Sequence, residues 1–269
     1  MKEYRPFALQ GWRGYVLSQV AEQIPLENLD AWSQSPCLHV MRDLPLRCIA
    51  RWERPSGPAW YLKRIQGLSD KQDGFLNILK WRFRPSRALH ILSISQELEK
   101  AGFRTPKVIL AARHRPWWPW GKPTDLLVTE EAQGNLVSTL LWRVPPLPEE
   151  ERQALLQKTG RELARLHQAG FVHGDCHPGN YFQDDPNKGF LYIDNDRTCR
   201  RRHFSPAGAA RNLVSAAFAL SRRLPLTFYQ DFTQILEAYR QEAKLSPAQE
   251  KSLLARLHHA LQKRLRQGR

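Results

Sequence analysis

Long hydrophobic runs are absent from this chain of 269 residues. No stretch approaches the roughly 20 apolar residues that a helix needs to cross a bilayer. The N-terminal MKEYRPFALQGWRGY also lacks the apolar core of a secretory signal. We therefore expect neither a transmembrane helix nor a cleaved leader.

Cysteine is scarce, with four residues scattered along the chain at positions 37, 48, 176 and 199. A disulfide framework is typical of short secreted chains with closely spaced cysteines. We interpret these four as reduced thiols of a cytoplasmic protein.

Acidic residues are also in short supply: 26 stand against 41 basic ones, giving a net charge of +15. Such a balance favours nucleic acid, a phosphate-bearing substrate or an anionic membrane surface as partner. The sequence has no RNP, zinc-finger or helix-turn-helix pattern, so we do not expect nucleic acid to be that partner. A hydrophobic fraction of 42% supports a packed core.

The first half of the chain has the pattern of strands with one helix. Residues 1–35 remain unassigned, apart from a short helix at PLENLDAW. SRALHILSISQELEKAG has helical spacing of its apolar residues and ends at Gly102. The predicted strands are CLHVMRD, LRCIARWER, AWYLKRI, KVILAARHR and TDLLVTEEA.

The second half changes to helices. LPEEERQALLQKTGRELARLHQAG predicts a helix that closes at Gly170, and three more follow near 207–223, 228–243 and 247–266. Between them lie FVHGDCHPGNYF and a short strand in FLYIDND. The sequence therefore predicts an α+β protein with a β-rich lobe over 1–132 and a helical lobe over 133–269. The place of residues 1–35 in the first lobe stays open.

FVHGDCHPGNYF and the strand after it carry the chemistry. Asn180 follows Asp175 by five residues and Asp194 follows it by nineteen. Phosphoryl transfer needs a carboxylate to orient the attacking hydroxyl and oxygen ligands that hold Mg²⁺ on ATP. The kinase order of catalytic Asp, Asn and metal-binding Asp has similar spacing.

Two other interpretations of this stretch remain. His, Asp, Pro, Gly and Asn are common turn formers, so the stretch alone could be a crowded turn. A zinc site is the other, although its ligands would lack the close pairing that zinc sites show. Its candidates are His173, Cys176, His177, Cys199 and His203.

HGDCHPGN followed by YIDND resembles the protein-kinase-like superfamily. WYLKR, ELEKAGFRTPKVI, LLVTEEAQG, LARLHQAGFVHGD and LYIDNDRTCRR together are similar to the lipopolysaccharide core kinase family, the Kdo and heptose kinases of Gram-negative bacteria. The similarity runs from about Val40 to Arg223. It implies a bilobal protein-kinase-like fold with a small antiparallel β lobe plus helix and a larger helical lobe.

The resemblance also implies ATP and Mg²⁺ as cofactors and a role for individual residues. Asp175 is the expected catalytic base, with His173 supporting its loop. Cys176 and His177 receive no role. The expected cofactor contacts are Lys63 with the α- and β-phosphates, Glu130, Glu131 and Ala132 with adenine through backbone groups, and Asn180, Asp194 and Asp196 with the metal.

The sequence departs from the superfamily pattern in two places. A helix Glu should pair with the nucleotide Lys, but His90 or Ile91 stands near that position, and Glu97 and Glu99 come late in the helix. There is also no Gly-rich loop, so Arg42, Arg47 or backbone N–H groups would have to cover the phosphates. These departures leave a non-catalytic pseudokinase scaffold as an alternative.

The resemblance implies transfer of the γ-phosphoryl group to a sugar hydroxyl, of Kdo or heptose, in the lipopolysaccharide core. The expected partners are this glycolipid and an anionic membrane surface, which places the protein peripherally on the inner face of the inner membrane. A kinase of a soluble small molecule, such as an amino sugar or a choline-like alcohol, is the other enzymatic alternative.

The sequence leaves open where two segments pack. The Trp117–Trp120 loop, in RPWWPWGKP, would either meet the membrane interface or fold back onto the small lobe. The last helix has a leucine stripe among basic residues, and we expect it to pack on the large lobe.

Overall fold

The computed structural model describes residues 3–44, 46–66, 83–118 and 121–267. The chain forms two compact units. The first contains Met1–Gln96 and Pro106–Glu131, and the second contains Glu97–Thr105 and Ala132–Arg269. No helix within the described ranges combines the length and the apolarity needed to cross a membrane.

A seven-stranded antiparallel sheet dominates the first unit, with the spatial order β1-β2-β6-β7-β5-β4-β3. Its buried face includes Trp12, Val16, Trp60 and Leu110. The strands are β1 (Tyr4–Leu9), β2 (Trp12–Leu17), β3 (His39–Leu44), β4 (Arg47–Trp52), β5 (Trp60–Gln66), β6 (Val108–His114) and β7 (Thr124–Glu130).

The hairpin β1–β2 lies in the segment that the sequence left unassigned. It turns at Gln10 and Gly11, both with positive φ, 47° and 81°. This left-handed pair suits a tight hairpin, but Gln is an unusual residue at the first position. The outer strand β1 also exposes most of its side chains, so its apolar alternation is weak and the pattern gave no strand signal.

Two α-helices accompany this sheet within the described residues: the short α1 (Leu29–Trp32) and α2 (Arg87–Lys100), whose last residues belong to the second unit. Asp125 on β7 anchors the start of α2. Its carboxylate accepts hydrogen bonds from the Ser86 hydroxyl at 2.7 Å and the Arg87 N–H at 2.8 Å. Ser86 also accepts the N–H of Leu89, which satisfies another free donor of the first turn. The predicted helix is therefore confirmed and tied to the sheet.

The second unit is mainly helical, as predicted. Five short strands form a three-stranded sheet of order β11-β10-β8 and the pair β9–β12. The elements are α3 (Val137–Leu141), α4 (Glu149–Gln168), α5 (Pro206–Arg223), α6 (Phe228–Ala243) and α7 (Pro247–Gln267), with β8 (Asn135–Leu136), β9 (Phe171–Val172), β10 (Tyr181–Gln183), β11 (Leu191–Tyr192) and β12 (Cys199–Arg200).

The segment 97–105 belongs to the second unit because its side chains pack there. Phe103 meets Phe171 and Tyr192 edge-on, with ring centroids 5.9 and 6.1 Å apart. Arg104 makes two hydrogen bonds of 2.6 Å to the carboxylate of Asp184. This guanidinium lowers the pKa of the Asp184 carboxyl.

Helices α4 and α6 pack most closely at Gly160. A Cβ at this position would lie 2.2 Å from the carbonyl oxygen of Ile235 and 2.9 Å from the backbone nitrogen of Tyr239. The two helix backbones therefore meet where only glycine fits. Near the start of both helices, Arg152 pairs with the fully buried carboxylate of Asp231.

Helix α7 packs on α5 and buries Leu253 and Leu257 completely or nearly so. The expectation that the last helix packs on the large lobe is confirmed.

In the Trp117–Trp120 loop, Trp117 is 93% exposed and Trp118 is 50% exposed. Trp120 lies outside the described residues.

A buried polar chain links three of these helices. His167 of α4 contacts the Tyr239 hydroxyl of α6 through Nδ1 at 3.0 Å and Oδ1 of Asn212 on α5 through Nε2 at 2.9 Å. Since an amide oxygen only accepts, Nε2 carries the proton and Nδ1 accepts from Tyr239. Burial lowers the pKa of His167 to about 4, while the bond to Asn212 opposes this shift.

The close approach at Gly160 predicts that Gly160→Ala destabilises the protein by about 1–3 kcal/mol, because the added methyl group meets backbone atoms that cannot move independently. Urea unfolding measures this. Gln157→Ala on the exposed face of the same helix is the matched control and should leave stability unchanged or slightly raised. Equal stability of Gly160→Ala and the wild type would contradict the close contact.

Buried His167 predicts a loss of stability in mild acid. Unfolded histidine binds a proton near pH 6.5, whereas folded His167 does so only near pH 4. The contribution of His167 to the free energy of unfolding is complete above pH 6.5 and is lost as the pH falls towards 4. The change is about 3 kcal/mol. Urea unfolding at several pH values measures the slope.

The histidine variants provide the control for this pH dependence. His167→Gln should reduce the slope between pH 6.5 and 4, while His258→Gln, at an exposed position on α7, should retain the wild-type slope. The assignment is wrong if His167→Gln and the wild type lose stability in parallel.

Candidate active site

His173 lies at the centre of the site and is 1% exposed. Its Nδ1 accepts the N–H of Asp175 at 3.1 Å, and its Nε2 donates to the carbonyl of Ile193 at 3.0 Å. Burial lowers the pKa of His173, while the Ile193 bond and the carboxylates of Asp194 and Asp175 oppose the shift. The neutral ring thus connects the loop of Asp175 to the residue before Asp194.

Asn212 fixes the backbone of His173 from the other side. Its Oδ1 accepts the N–H of His173 at 3.0 Å, and its Nδ2 donates to the carbonyl of the same residue at 2.6 Å. Asn212 is 1% exposed and sits on α5, which makes it a rigid support. Because the same Oδ1 accepts from His167, three helices converge on this one loop residue.

Asn180 has its side chain oriented by the loop itself. Its amide Nδ2 donates to the carbonyl of Asp175 at 2.7 Å, and its backbone carbonyl accepts the N–H of Ile193 at 3.0 Å. No described residue donates a hydrogen bond to its Oδ1. The Oδ1 of Asn180, which is the atom that a cation would use, is therefore available as a ligand.

Asp194 follows directly after Ile193 and adopts a left-handed conformation, with φ 56°. This backbone state is costly for a non-glycine residue and often marks a functional position. Asn195 holds the next turn by donating to the Tyr192 carbonyl at 3.1 Å and accepting from the Thr198 hydroxyl at 3.2 Å. Asp196 lies in this turn and is partly exposed.

The close passage of two backbones joins the two motifs. A Cβ on Gly174 would lie 2.0 Å from Cβ of Arg197 and 2.7 Å from its backbone carbon. The position before Asp175 must therefore be glycine, because a side chain there would collide with Arg197, which follows Asp194.

The carboxylate of Asp175 is 55% exposed. His177 lies beside it, with Nε2 at 3.6 Å from the nearer carboxylate oxygen. The Nδ1 of His177 accepts the N–H of Gly179 at 3.0 Å, and its Nε2 also lies 3.2 Å from Nδ2 of Asn180. The site therefore presents one accessible carboxylate with an imidazole ring beside it.

Cys176 points away from the site, into the core. Its sulfur lies 2.6 Å from the Tyr181 hydroxyl, and burial raises the pKa of the thiol to about 12. In the part of the chain that the structure describes, no three His, Cys, Asp or Glu side chains are placed to hold one metal ion. The zinc interpretation is therefore not supported.

The predicted nucleotide residues lie elsewhere in the chain. Lys63 is on the interior strand β5, opposite Ile49 of β4 and Leu127 of β7. The N–H of Glu130 donates to the Lys107 carbonyl and that of Glu131 to the Ala59 carbonyl, both at 2.9 Å.

Only the N–H of Ala132, among these three predicted adenine contacts, has no acceptor within the described ranges. Glu131 instead holds Arg51, whose Nε and terminal nitrogen lie 3.0 and 3.1 Å from the carboxylate oxygens. That guanidinium lowers the pKa of the Glu131 carboxyl. Its side chain thus has a structural ion pair of its own.

The late helix glutamates have other partners. Glu97 lies 3.7 Å from Arg200, and Glu99 accepts from the Thr105 hydroxyl at 3.5 Å. Both contacts are within the second unit.

The sequence reasoning missed Asn212 and His167 as parts of the site. The signal for Asn212 was a single amide in the apolar run NLVSAAFAL of a predicted helix. Such a buried amide needs hydrogen-bond partners. His167 belongs to LARLHQAGFVHGD, in which a histidine at the end of a helix has no sequence signal that distinguishes a buried position from an exposed one.

Known proteins resemble this chain in sequence and fold. Protein InaA of Escherichia coli (strain K12) is 24% identical over 164 residues, covering 58% of this chain and 69% of InaA. WaaP, in a structure with acyl carrier protein, aligns over 84% of this chain and 88% of its own, with 21% identity and a TM-score of 0.55.

A MAP kinase of Leishmania major, LmaMPK10, aligns over 88% of this chain and 73% of its own, at 18% identity and a TM-score of 0.44. The likeness to WaaP confirms the predicted protein-kinase-like fold.

The match to a family profile extends over residues 60–239. This is more than half of the 269 residues, and it includes β5, the Asp175 loop and the Asp194 turn. The chain belongs to the lipopolysaccharide kinase (Kdo/WaaP) family, whose members are phosphotransferases.

Proposed function

We propose that this protein transfers the γ-phosphoryl group of ATP to a sugar hydroxyl, of Kdo or heptose, in the lipopolysaccharide core. The observation that carries the proposal is an exposed Asp175 carboxylate on a residue whose own N–H and carbonyl are both held by hydrogen bonds. Family membership supports lipopolysaccharide as the acceptor class.

Asp175 would act on the acceptor hydroxyl. Its carboxylate is reachable by a substrate, and it can accept the hydroxyl hydrogen and take the proton as the oxygen attacks phosphorus. His177 lies beside the same carboxylate, with its Nε2 3.6 Å from one of the two oxygens.

His173 would be a positioning residue. Both of its ring nitrogens already have partners, and it is almost completely buried. It therefore cannot reach a substrate. Its effect is to hold the N–H of Asp175 and the carbonyl of Ile193 at a fixed separation.

Asn180 and Asp194 would hold Mg²⁺. Their amide and carboxylate oxygens are the hard ligands that Mg²⁺ prefers, and Asn180 has its oxygen unbonded within the described chain. Asp196 is a second carboxylate two residues further on. Mg²⁺, when bound, would neutralise the phosphate charge.

Lys63 and Ala132 would contact the nucleotide. Lys63 supplies a cation from an interior strand, where its backbone is fixed by two neighbours. The N–H of Ala132 is the donor available for adenine among the three predicted residues. The N–H groups of Glu130 and Glu131 are engaged, so we assign them a supporting role.

A membrane location follows from charge and from one loop. The acceptor class is a membrane glycolipid, the net charge is +15, and Trp117 is almost fully exposed. Exposed Trp next to basic residues suits the bilayer interface. We propose peripheral association with the inner face of the inner membrane.

Replacing Asp175 by Asn should lower kcat about 10²–10⁴-fold, the usual contribution of a general base. The Kd for ATP should change less than about twofold, because the carboxylate would act on the acceptor. The assay follows radiolabel from γ-labelled ATP into purified lipopolysaccharide core, with ATP binding measured separately.

Two further variants give this experiment its contrast. Asp194→Asn should lose Mg²⁺-dependent ATP binding, which Asp175→Asn keeps. Asp185→Asn changes a carboxylate that faces Lys188 at 3.6 Å and accepts the N–H of Asn187 at 2.8 Å, and its turnover should match the wild type. A wild-type rate in Asp175→Asn would remove Asp175 from the role of base, and no turnover by the wild type would favour the pseudokinase alternative.

A further inference from the structure

A cavity of about 470 Å³ opens beside Asp175. Asp175 and His177 line it together with three arginines, Arg222, Arg223 and Arg264. All three arginines are exposed side chains, so they are accessible to a ligand. A proposed base and three cations thus share one cavity.

Each of these three guanidinium groups lies over an aromatic ring. The Cζ of Arg264 lies 4.7 Å and that of Arg222 lies 5.8 Å from the ring centroid of Phe218. The Cζ of Arg223 lies 5.5 Å from the ring of Trp142. A ring engages the face of a guanidinium and leaves its N–H edge available for hydrogen bonds.

No carboxylate pairs with any of the three arginines in the ranges that the structure covers. Other arginines of the same unit do have such partners, as Arg104 has Asp184 and Arg240 has Glu250. Like charges gathered in one cavity repel each other unless an anion joins them. The charge of this cavity is therefore complementary to an acidic ligand.

One face of α5 couples this cavity to the catalytic loop. Ser215, Phe218 and Arg222 follow Asn212 along one helical face and line the cavity. At 1.5 Å per residue, Arg222 lies about 15 Å along the helix from Asn212. The residue that fixes the Asp175 loop and the arginine are thus parts of one rigid element.

We propose that this cavity is the acceptor subsite, and that Arg222, Arg223 and Arg264 bind an acidic group, carboxylate or phosphate, next to the hydroxyl that receives the phosphoryl group. The inference rests on the proposed role of Asp175. The three arginines narrow the expected acceptors of the phosphoryl group to an acidic sugar or a sugar beside a phosphate. Cationic acceptors, such as amino sugars or choline-like alcohols, are excluded by the same charges.

Equilibrium binding to the full chain tests the subsite without turnover. Calorimetry at low salt would use three probes: free Kdo with its carboxylate, glucose 1-phosphate with its phosphate, and a neutral hexose. The wild type should bind at least one acidic probe on the order of tenfold more tightly than the hexose, since charge-assisted hydrogen bonds add to its affinity. Preference for Kdo would place the acidic group on the acceptor sugar, and preference for the phosphate would place it on a neighbouring one.

The double variant Arg222→Gln with Arg264→Gln should weaken binding of the acidic probe on the order of tenfold or more. Arg266→Gln, an exposed arginine on α7 that does not line the cavity, is the matched control and should bind like the wild type. Near-UV circular dichroism would show that the variants remain folded. The inference is overturned if the wild type does not prefer an acidic probe, or if the double variant binds it as tightly.

The same variants separate this inference from the proposed function. In the kinase assay, the double variant should raise KM for the acceptor on the order of tenfold, with KM for ATP changed less than about twofold. Intact binding of acidic probes without any phosphoryl transfer would reject the proposed function alone. Full transfer with an unchanged acceptor KM in the double variant would reject the acceptor subsite alone.

Discussion

The side chain of Asn212 bonds both the N–H and the carbonyl of His173, and the site depends on this pair of contacts. A loop conformation without these two bonds would leave buried polar groups unpaired, which is costly. His167 completes the arrangement because it donates to the same oxygen of Asn212. The ring of His173 in turn bonds the N–H of Asp175 and the carbonyl of Ile193, the residue before Asp194, and so fixes the distance between them. The groups proposed for proton transfer and for metal binding are thus positioned by one buried network.

This network also explains how a loop with an exposed carboxylate can be rigid. Catalysis by positioning requires that the reactive groups are in place before the substrate arrives. Here the fixed parts are backbone atoms, held by buried side chains, while the Asp175 side chain is exposed and that of His177 is partly exposed. Gly174 makes the arrangement possible, because any larger residue would meet Arg197. Helix α5 extends the same rigid frame to Arg222 and Arg223 of the neighbouring cavity.

Much of the fold followed from sequence patterns. The helix over residues 149–168 and the last three helices were predicted almost to the residue, because they have regular apolar stripes and clear ends. The β1–β2 hairpin was missed, since β1 is largely exposed and its turn begins with Gln10. Short motifs located Asp175, Asn180 and Asp194, but Asn212 and Arg264 were missed, because they come from distant helices that only tertiary packing brings to the site. The roles of all these residues remain predictions.

The most direct test of the central claim is the phosphorylation state of the lipopolysaccharide core in cells. Mass spectrometry would compare core oligosaccharide from cells that lack the gene, that express the wild type, and that express Asp175→Asn at equal protein levels. The account predicts one additional phosphate group on an acidic or phosphate-flanked core sugar in the wild type only. Identical core masses in all three strains would contradict it.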